Sequence, residues 1–325
     1  MTAVNWGILS TAHINRLFVA GARQADNVQI VAVASRSQAR ADEYARVNEI
    51  PRAHGSYEAL LEDPDVEAVY ISLPNSLHIE WSIRALEAGK HVLCEKPLSR
   101  RPHEVERAFD VAQNSQRLLM EAFMWRHHPQ TRRLTELVNQ GAVGKARMIR
   151  AVFGFVASDP RNVRLSKTLD GGALMDVGCY CVSAARLIAG EPERVSAEQA
   201  LGGDGVDVAF AATMRHRDDI LSHFDAGLAL ASRDLLEVVG DQATMRVEDP
   251  WHCRQPGIER IRRDGATERI EIEHANSYQL EAENLSSAIR GEAEPLLGRA
   301  DALGQSRTIE ALYRAADDHS VVTLG

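Results

Sequence analysis

The sequence predicts an α/β chain of two domains, the first a doubly wound parallel sheet and the second built on a mostly antiparallel or mixed sheet. Three observations carry this. The chain has 325 residues, more than one core usually fills, since single cores stop growing near ~250 to 300 residues. Up to Glu121, short β-branched runs alternate with helix-period segments, the order of βαβ units. Beyond it strand-like runs dominate, with few helices between them. The boundary falls there, giving domains over 1–121 and 122–325.

In the first domain the strands are expected at 4–9, 28–34, 68–73, 91–94 and 117–120. Helical segments between them include 38–47 and 79–88, the latter closed by Gly89 where a C-cap glycine belongs. In the second, a helix over 130–139 ends at Gly141, a longer strand follows over 147–155, and a loop over 157–170 leads through Gly171-Gly172 into a helix over 173–188, closed by Gly190. Strand-like runs follow at 194–199, 208–214, 220–224, 235–239 and 244–247, and 259–272 folds back through Asp264-Gly265, a hairpin-turn signal. Helical segments over 278–289 and 299–316 end the chain and are expected to pack back onto its body.

Composition narrows the function. Hydrophobic residues make up 45% and charged residues 26%, as in a globular protein, and no run of ~18 apolar residues stands out as a bilayer span. The first residues run straight into a strand, with no basic and apolar leader pattern, so a cytoplasmic protein is expected. A net charge of −9, with no basic stripe, argues against nucleic acid as a partner. Cys94, Cys179, Cys181 and Cys253 lack the paired spacing of a zinc site and read as reduced, buried thiols. No clustered metal-ligand spacing appears, so no metal is expected.

The first strand runs into Gly7-Ile8-Leu9-Ser10-Thr11-Ala12-His13-Ile14-Asn15, where a Rossmann domain places its glycine-rich turn. Ser10 and Ala12 occupy the sites of the first two fingerprint glycines. Residues this small still let the backbone approach a pyrophosphate, whose charge is met by amide N–H groups at the helix N-terminus. The second strand ends Ala34-Ser35-Arg36-Ser37. An NAD site carries a carboxylate there for the ribose 2′-OH. A hydroxyl and a guanidinium, with Arg40 one turn on, instead suit a 2′-phosphate, because arginine donates two parallel hydrogen bonds to such a group. NADP is the expected cofactor.

At Cys94-Glu95-Lys96-Pro97, directly after a strand, the sequence resembles the Gfo/Idh/MocA family of glucose-fructose oxidoreductase-like dehydrogenases. Pro74-Asn75-Ser76-Leu77-His78 is similar to the family's loop over the nicotinamide side, Glu121-Ala122-Phe123-Met124-Trp125-Arg126 to its interdomain crossover, and Gly171 to Tyr180 (GGALMDVGCY) to its catalytic helix. The resemblance covers nearly the whole chain and is nearest the branch holding dimeric dihydrodiol dehydrogenase, NADP-linked xylose dehydrogenase and glucose-fructose oxidoreductase, which carries Tyr where inositol dehydrogenases carry His. It implies a Rossmann domain followed by an α/β domain with an open, predominantly antiparallel sheet whose exposed face forms a homo-dimer or tetramer interface. The serine and alanine in the fingerprint depart from the family's glycines.

The resemblance further implies a site. Leu73, Pro74, Asn75, Glu95, Lys96 and a cis-bonded Pro97 would lie along the cofactor, with His78 reaching the nicotinamide ribose. Oxidising an alcohol needs a base for the hydroxyl proton and a group that stabilises alkoxide character. Tyr180 is the candidate acid/base. Its phenol, ordinarily near ~10, needs a nearby ammonium to favour the phenolate, and Lys96 would supply it. Asp176 precedes Tyr180 by one helical turn, on the same face, and would orient a substrate hydroxyl or Lys96. Trp125, Arg126, His128, Arg161 and Arg164 would line a pocket for a polyhydroxylated substrate. The implied activity is NADP-dependent hydride transfer to or from a sugar or cyclic polyol. Oxidation of a trans-dihydrodiol and reduction of a keto-deoxysugar or anhydro-ketose remain open. So does a non-catalytic NADP-sensing protein, against which the pairing of Lys96 with Tyr180 argues.

Overall fold

A computed structural model describes residues 2–324. The chain divides into two units, one running to Met124 and adding Asn276–Leu303, the other comprising Trp125–Ala275 and the residues from Gly304 onward.

The first unit alternates β1 (Val4–Leu9), α1 (Asn15–Ala22), β2 (Val28–Ala34), α2 (Gln38–Val47), β3 (Arg52–His54), α3 (Tyr57–Leu61), β4 (Ala68–Ile71), α4 (His78–Glu87), β5 (His91–Glu95), α5 (Pro102–Asn114) and β6 (Leu119–Ala122). Its six strands lie in the order β3-β2-β1-β4-β5-β6, with every neighbouring pair parallel. That order reverses between β1 and β4, the switch point beside which α/β sheets bind ligands. Helices cover such a sheet on both faces, so its strands read as near-continuous apolar runs. β4, Ala-Val-Tyr-Ile, is buried at all four positions.

Two short elements escaped the periodicity. β3 is only Arg-Ala-His, without a β-branched residue, and α3 is a single turn and a half. β6 begins two residues later than expected because Arg117 belongs to the turn closing α5, its N–H donating to Ala112 O at 2.9 Å behind Gln116 at φ 55°.

The second unit carries α6 (Pro129–Asn139), β7 (Ala146–Val156), α7 (Cys179–Ala189), β8 (Pro192–Leu201), β9 (Asp207–His216), β10 (Leu221–Gly227), β11 (Ala229–Gly240), β12 (Ala243–Val247), β13 (Gly257–Arg262) and β14 (Thr267–Glu271). α8 (Ser277–Ile289), α9 (Arg299–Asp317) and β15 (Val322–Thr323) complete the chain. The nine-stranded sheet runs β14-β13-β12-β11-β7-β10-β9-β8-β15. Only β7 and β10 pair in parallel; the other ladders are antiparallel. The expected hairpin closes with Arg262 N–H on Ala266 O at 2.8 Å and Gly265 at φ 85°.

The helix expected over 173–188 is not uniform. Leu174–Gly178 form a π-turn, and the α-helix proper starts at Cys179. The same segment departs from the expectation that composition set. Lys167–Ala189 is long and apolar enough to cross a membrane, but 78% of its apolar window is buried inside the protein, as a core helix is.

Candidate active site

Most residues expected to hold the dinucleotide follow or end a strand of the parallel sheet on its carboxyl side: Ser10 to Ile14 after β1, Ser35 and Arg36 after β2, Leu73 to Asn75 after β4, Glu95 to Pro97 at the end of β5; Arg40 and His78 stand at the starts of the helices that follow, α2 and α4. Gly7 lies within β1, where an added Cβ would come within 2.8 Å of Leu60. Ser10 has φ 130°, a conformation that costs a non-glycine residue about 1–3 kcal/mol. This explains why the fingerprint favours glycine at that position. The serine hydroxyl compensates locally: it lies 2.8 Å from Ser72 Oγ after β4 and accepts the Ala12 N–H at 3.1 Å. Asn15, fully buried, donates to Ser10 O at 2.9 Å and pins the loop from below. Among the described residues, no acceptor meets the N–H groups of Thr11, His13 and Ile14. They are the donors a pyrophosphate needs.

At the end of β2, Ser35 is buried and Arg36 is exposed, its guanidinium lying against the Tyr57 hydroxyl. Burial raises the Tyr57 phenol while Arg36 opposes that rise. Arg40 is exposed on the first turn of α2.

The Lys96–Pro97 bond is cis, as the resemblance implied, and Lys96 is half-buried. The loop beyond it is held by Leu98 N–H on Glu121 Oε1 at 2.7 Å. Beside Lys96, Glu95 accepts a hydrogen bond from the buried Tyr70 hydroxyl. Close by is Glu281 of α8, completely buried, with neither carboxyl oxygen partnered among the described residues. Burial, and then the charge of Glu95, push its carboxyl well above the usual carboxylate range, which favours the neutral form. Tyr70 is raised for the same two reasons.

In the second unit the loop before the π-turn closes tightly. Gly171 and Gly172 donate to Ser166 O at 2.9 Å and Arg164 O at 2.8 Å. A Cβ on Gly171 would sit 2.4 Å from the Arg164 carbonyl oxygen, and one on Gly172, at φ +122°, would sit 2.2 Å from Asp207 Oδ1. The buried Asp207 carboxylate accepts Leu174 N–H at 2.6 Å and the Tyr313 hydroxyl at 2.9 Å, capping the helical start. With the loop so fixed, Arg164 Nε donates to Asp176 Oδ2 at 2.7 Å. π-turns inside helices recur at functional sites, and this one contains Asp176. Tyr180, 6% exposed, meets Phe153 edge-on at 5.3 Å and Trp251 at 5.8 Å between ring centroids. Arg126 donates to Ser183 Oγ at 3.1 Å, one turn beyond Tyr180 on α7.

Comparison with known proteins shows the family. Residues 4–123 match the model of the oxidoreductase family with an NAD-binding Rossmann fold, and residues 131–246 match the GFO/IDH/MocA C-terminal domain. The chain belongs to the Gfo/Idh/MocA oxidoreductase family. A D-xylose 1-dehydrogenase (NADP(+)) of Haloferax volcanii is 35% identical over 98% of this chain and 99% of its own. A trans-1,2-dihydrobenzene-1,2-diol dehydrogenase of Danio rerio is 35% identical over 77% of this chain and 76% of its own. Among solved structures, KijD10, a 3-ketoreductase of Actinomadura kijaniata in complex with NADP and TDP-benzene, superposes with a TM-score of 0.91 at 30% identity, covering 97% of this chain and 98% of that one. Like its family, the protein is an oxidoreductase, an enzyme of the type that acts on CH–OH groups.

Several residues take other roles than a family member's sequence suggests. His78 is 1% exposed, with Nδ1 2.9 Å from Pro97 O and Nε2 2.8 Å from Leu73 O, so its ring is taken up by two carbonyls and not turned to a ribose. Trp125 is buried edge-on against Trp251 at 5.4 Å, a core residue of the second unit. His128 is fully buried and caps α6 by accepting Gln130 N–H at 3.1 Å. Arg161 is exposed and bonds Asp159 within its own turn, at 3.2 Å. The π-turn also alters the plain one-turn spacing of Asp176 and Tyr180: one engages the loop arginine, the other the aromatic rings of the sheet side.

Sequence reasoning missed Asp207, Tyr70 and Glu281, whose partners lie far away along the chain. It also missed Asp234, Asp249 and His252, which come within 4.8 Å of one another. There Asp249 Oδ2 already accepts the N–H groups of Arg254 at 2.5 Å and Gln255 at 3.0 Å. A recess of about 290 Å³ lined by Arg150, Arg233, Asp234 and Arg246 opens on the same sheet, and none of the predicted site residues lines it.

Proposed function

We propose that this oxidoreductase is NADP-dependent and moves hydride between the nicotinamide and a sugar or cyclic polyol. One observation supports this best: on a single sheet, Arg36 follows β2 and Lys96 follows β5, on opposite sides of the switch point after β1. A dinucleotide with its pyrophosphate on the β1 turn would carry its 2′-phosphate to Arg36, Ser35 and Arg40, and its nicotinamide toward Leu73–Asn75 and Glu95–Pro97. The NADP named for the xylose dehydrogenase and bound in KijD10 agrees with that cofactor.

In this reading, bound NADP would supply the hydride acceptor for the substrate C–H, and Tyr180, acting as phenolate, takes the proton of the substrate hydroxyl. Lys96 supplies the positive charge that favours the phenolate and the developing alkoxide. Asp176, oriented by Arg164, holds a neighbouring substrate hydroxyl, with Arg126 near the same helix. A trans-dihydrodiol is the second reading, and the 35% identity to the trans-1,2-dihydrobenzene-1,2-diol dehydrogenase of Danio rerio favours it. Met148 and Leu221, exposed cross-strand partners on β7 and β10, support a homo-dimer or tetramer through the open sheet.

The test is reduction of NADP⁺, followed at the nicotinamide absorbance, across aldoses, inositols, anhydrosugars and trans-diols, with NAD⁺ in parallel. Turnover of one class with NADP⁺ is expected. Tight NADPH binding with no turnover in either direction would instead make the chain a sensor.

A further inference from the structure

We propose that His78 is a positioning residue that clamps the Lys96–Pro97 loop to the loop after β4, and so fixes the aim of Lys96. The proposal rests on the role given to Lys96 above. The ring is buried at the start of α4 and faces two backbone carbonyls, Pro97 O from Nδ1 at 2.9 Å and Leu73 O from Nε2 at 2.8 Å. A carbonyl only accepts, so the ring's N–H donates to one of the two and the other carbonyl packs against the opposite ring edge. One side chain thereby ties together two loops that are separate along the chain.

The placement gives the clamp its consequence. Pro97 O belongs to the residue after Lys96, and Leu73 O precedes Pro74 and Asn75. Both segments extend from neighbouring strands, β5 and β4. Backbone there has left the ladder, so side-chain bonds such as these fix its position. Loosening a positioning contact so that a reacting group shifts by about 1 Å costs on the order of 100-fold in rate. The adenine end of the cofactor is held elsewhere, after β2, and would be untouched.

The experiment compares His78→Ala, His78→Asn and His78→Gln with Lys96→Ala, using NADP⁺ and D-xylose, each rate counted per NADPH-binding site. Asparagine presents its amide N–H where Nδ1 stood, against Pro97 O; glutamine presents it where Nε2 stood, against Leu73 O. The alanine variant should lose about 10- to 100-fold in kcat while its NADPH Kd stays within about threefold. Asparagine should recover most of kcat and glutamine little of it. Emission of bound NADPH needs no substrate and decides the matter if D-xylose is not turned over: in His78→Ala it should move toward that of free cofactor. Unchanged kcat per site, unchanged emission, or equal recovery by asparagine and glutamine would overturn the clamp. Loss in Lys96→Ala with His78→Ala intact would sink the clamp alone, and full activity in Lys96→Ala would sink the reading of Lys96 and the clamp with it.

Discussion

Replacing Arg36 by alanine should turn an NADP enzyme toward indifference between the two cofactors. The guanidinium is exposed at the end of β2, beside the Tyr57 hydroxyl, and the strand end offers no carboxylate that would favour NAD once the arginine is gone. A hydrogen bond to a charged group contributes about 1.5–3 kcal/mol, and exposure puts this one at the lower end. At about 1.4 kcal/mol per decade, NADPH affinity should fall roughly 10-fold, and by no more than about 100-fold. NADH, which lacks the 2′-phosphate, should bind within about twofold of wild type, because it loses no charged partner. Fluorescence titration of both cofactors at two ionic strengths measures this. The wild-type preference for NADPH should shrink as salt rises, and the variant's should not. An equal loss for NADPH and NADH would mean that Arg36 shapes the pocket through Tyr57 instead of holding a phosphate.

His127, 6% exposed, has its ring pKa lowered to about 3, chiefly by burial and then by Arg126 and Arg132, whereas in the unfolded chain it returns to about 6.5. Between those values the unfolded chain binds the extra proton, so the stability that the neutral ring contributes is present above pH ~6.5 and is lost as pH falls. From pH 6.5 to 5 that amounts to roughly 2 kcal/mol, and denaturant titrations at the two pH values should show a loss smaller by about that amount in His127→Gln; equal losses would contradict the buried, neutral ring. Gly172→Ala would drive a Cβ to 2.2 Å from Asp207 Oδ1 at φ +122°, so unfolding midpoints should drop by the equivalent of about 2 kcal/mol or more, and an unchanged midpoint would mean that the helix start does not depend on this close approach.

What the sequence disclosed follows from what is local. The runs forming β1, β2 and α2 were legible to the residue, because burial of a parallel sheet and helical periodicity are both written in neighbouring side chains. Glycines at 89, 141, 190 and 265 marked their turns because each adopts positive φ. The π-turn at Leu174–Gly178 was invisible, since its apolar spacing reads as an ordinary helix, and it was the closure of the glycine loop on Asp207 that revealed how that segment begins. The residues joining family motifs were legible as a set, but their partners were not. His78 was expected to meet cofactor and instead meets two carbonyls; Trp125 and His128 were expected at a pocket and instead lie in the core. Tyr70, Glu95 and Glu281 meet only because β4, β5 and α8 come together, a distance along the chain that no pattern spans.

If Tyr180 moves the substrate's proton, as proposed, the Tyr180→Phe variant will reveal it. The phenol's oxygen is the only atom removed, and the ring keeps its edge-on contact with Phe153 at 5.3 Å. Steady-state turnover with NADP⁺ and the substrate found in the panel should fall about 100- to 10,000-fold, with NADPH binding within about twofold of wild type. Turnover at the wild-type rate would remove Tyr180 from the mechanism and leave the proton transfer without its proposed base.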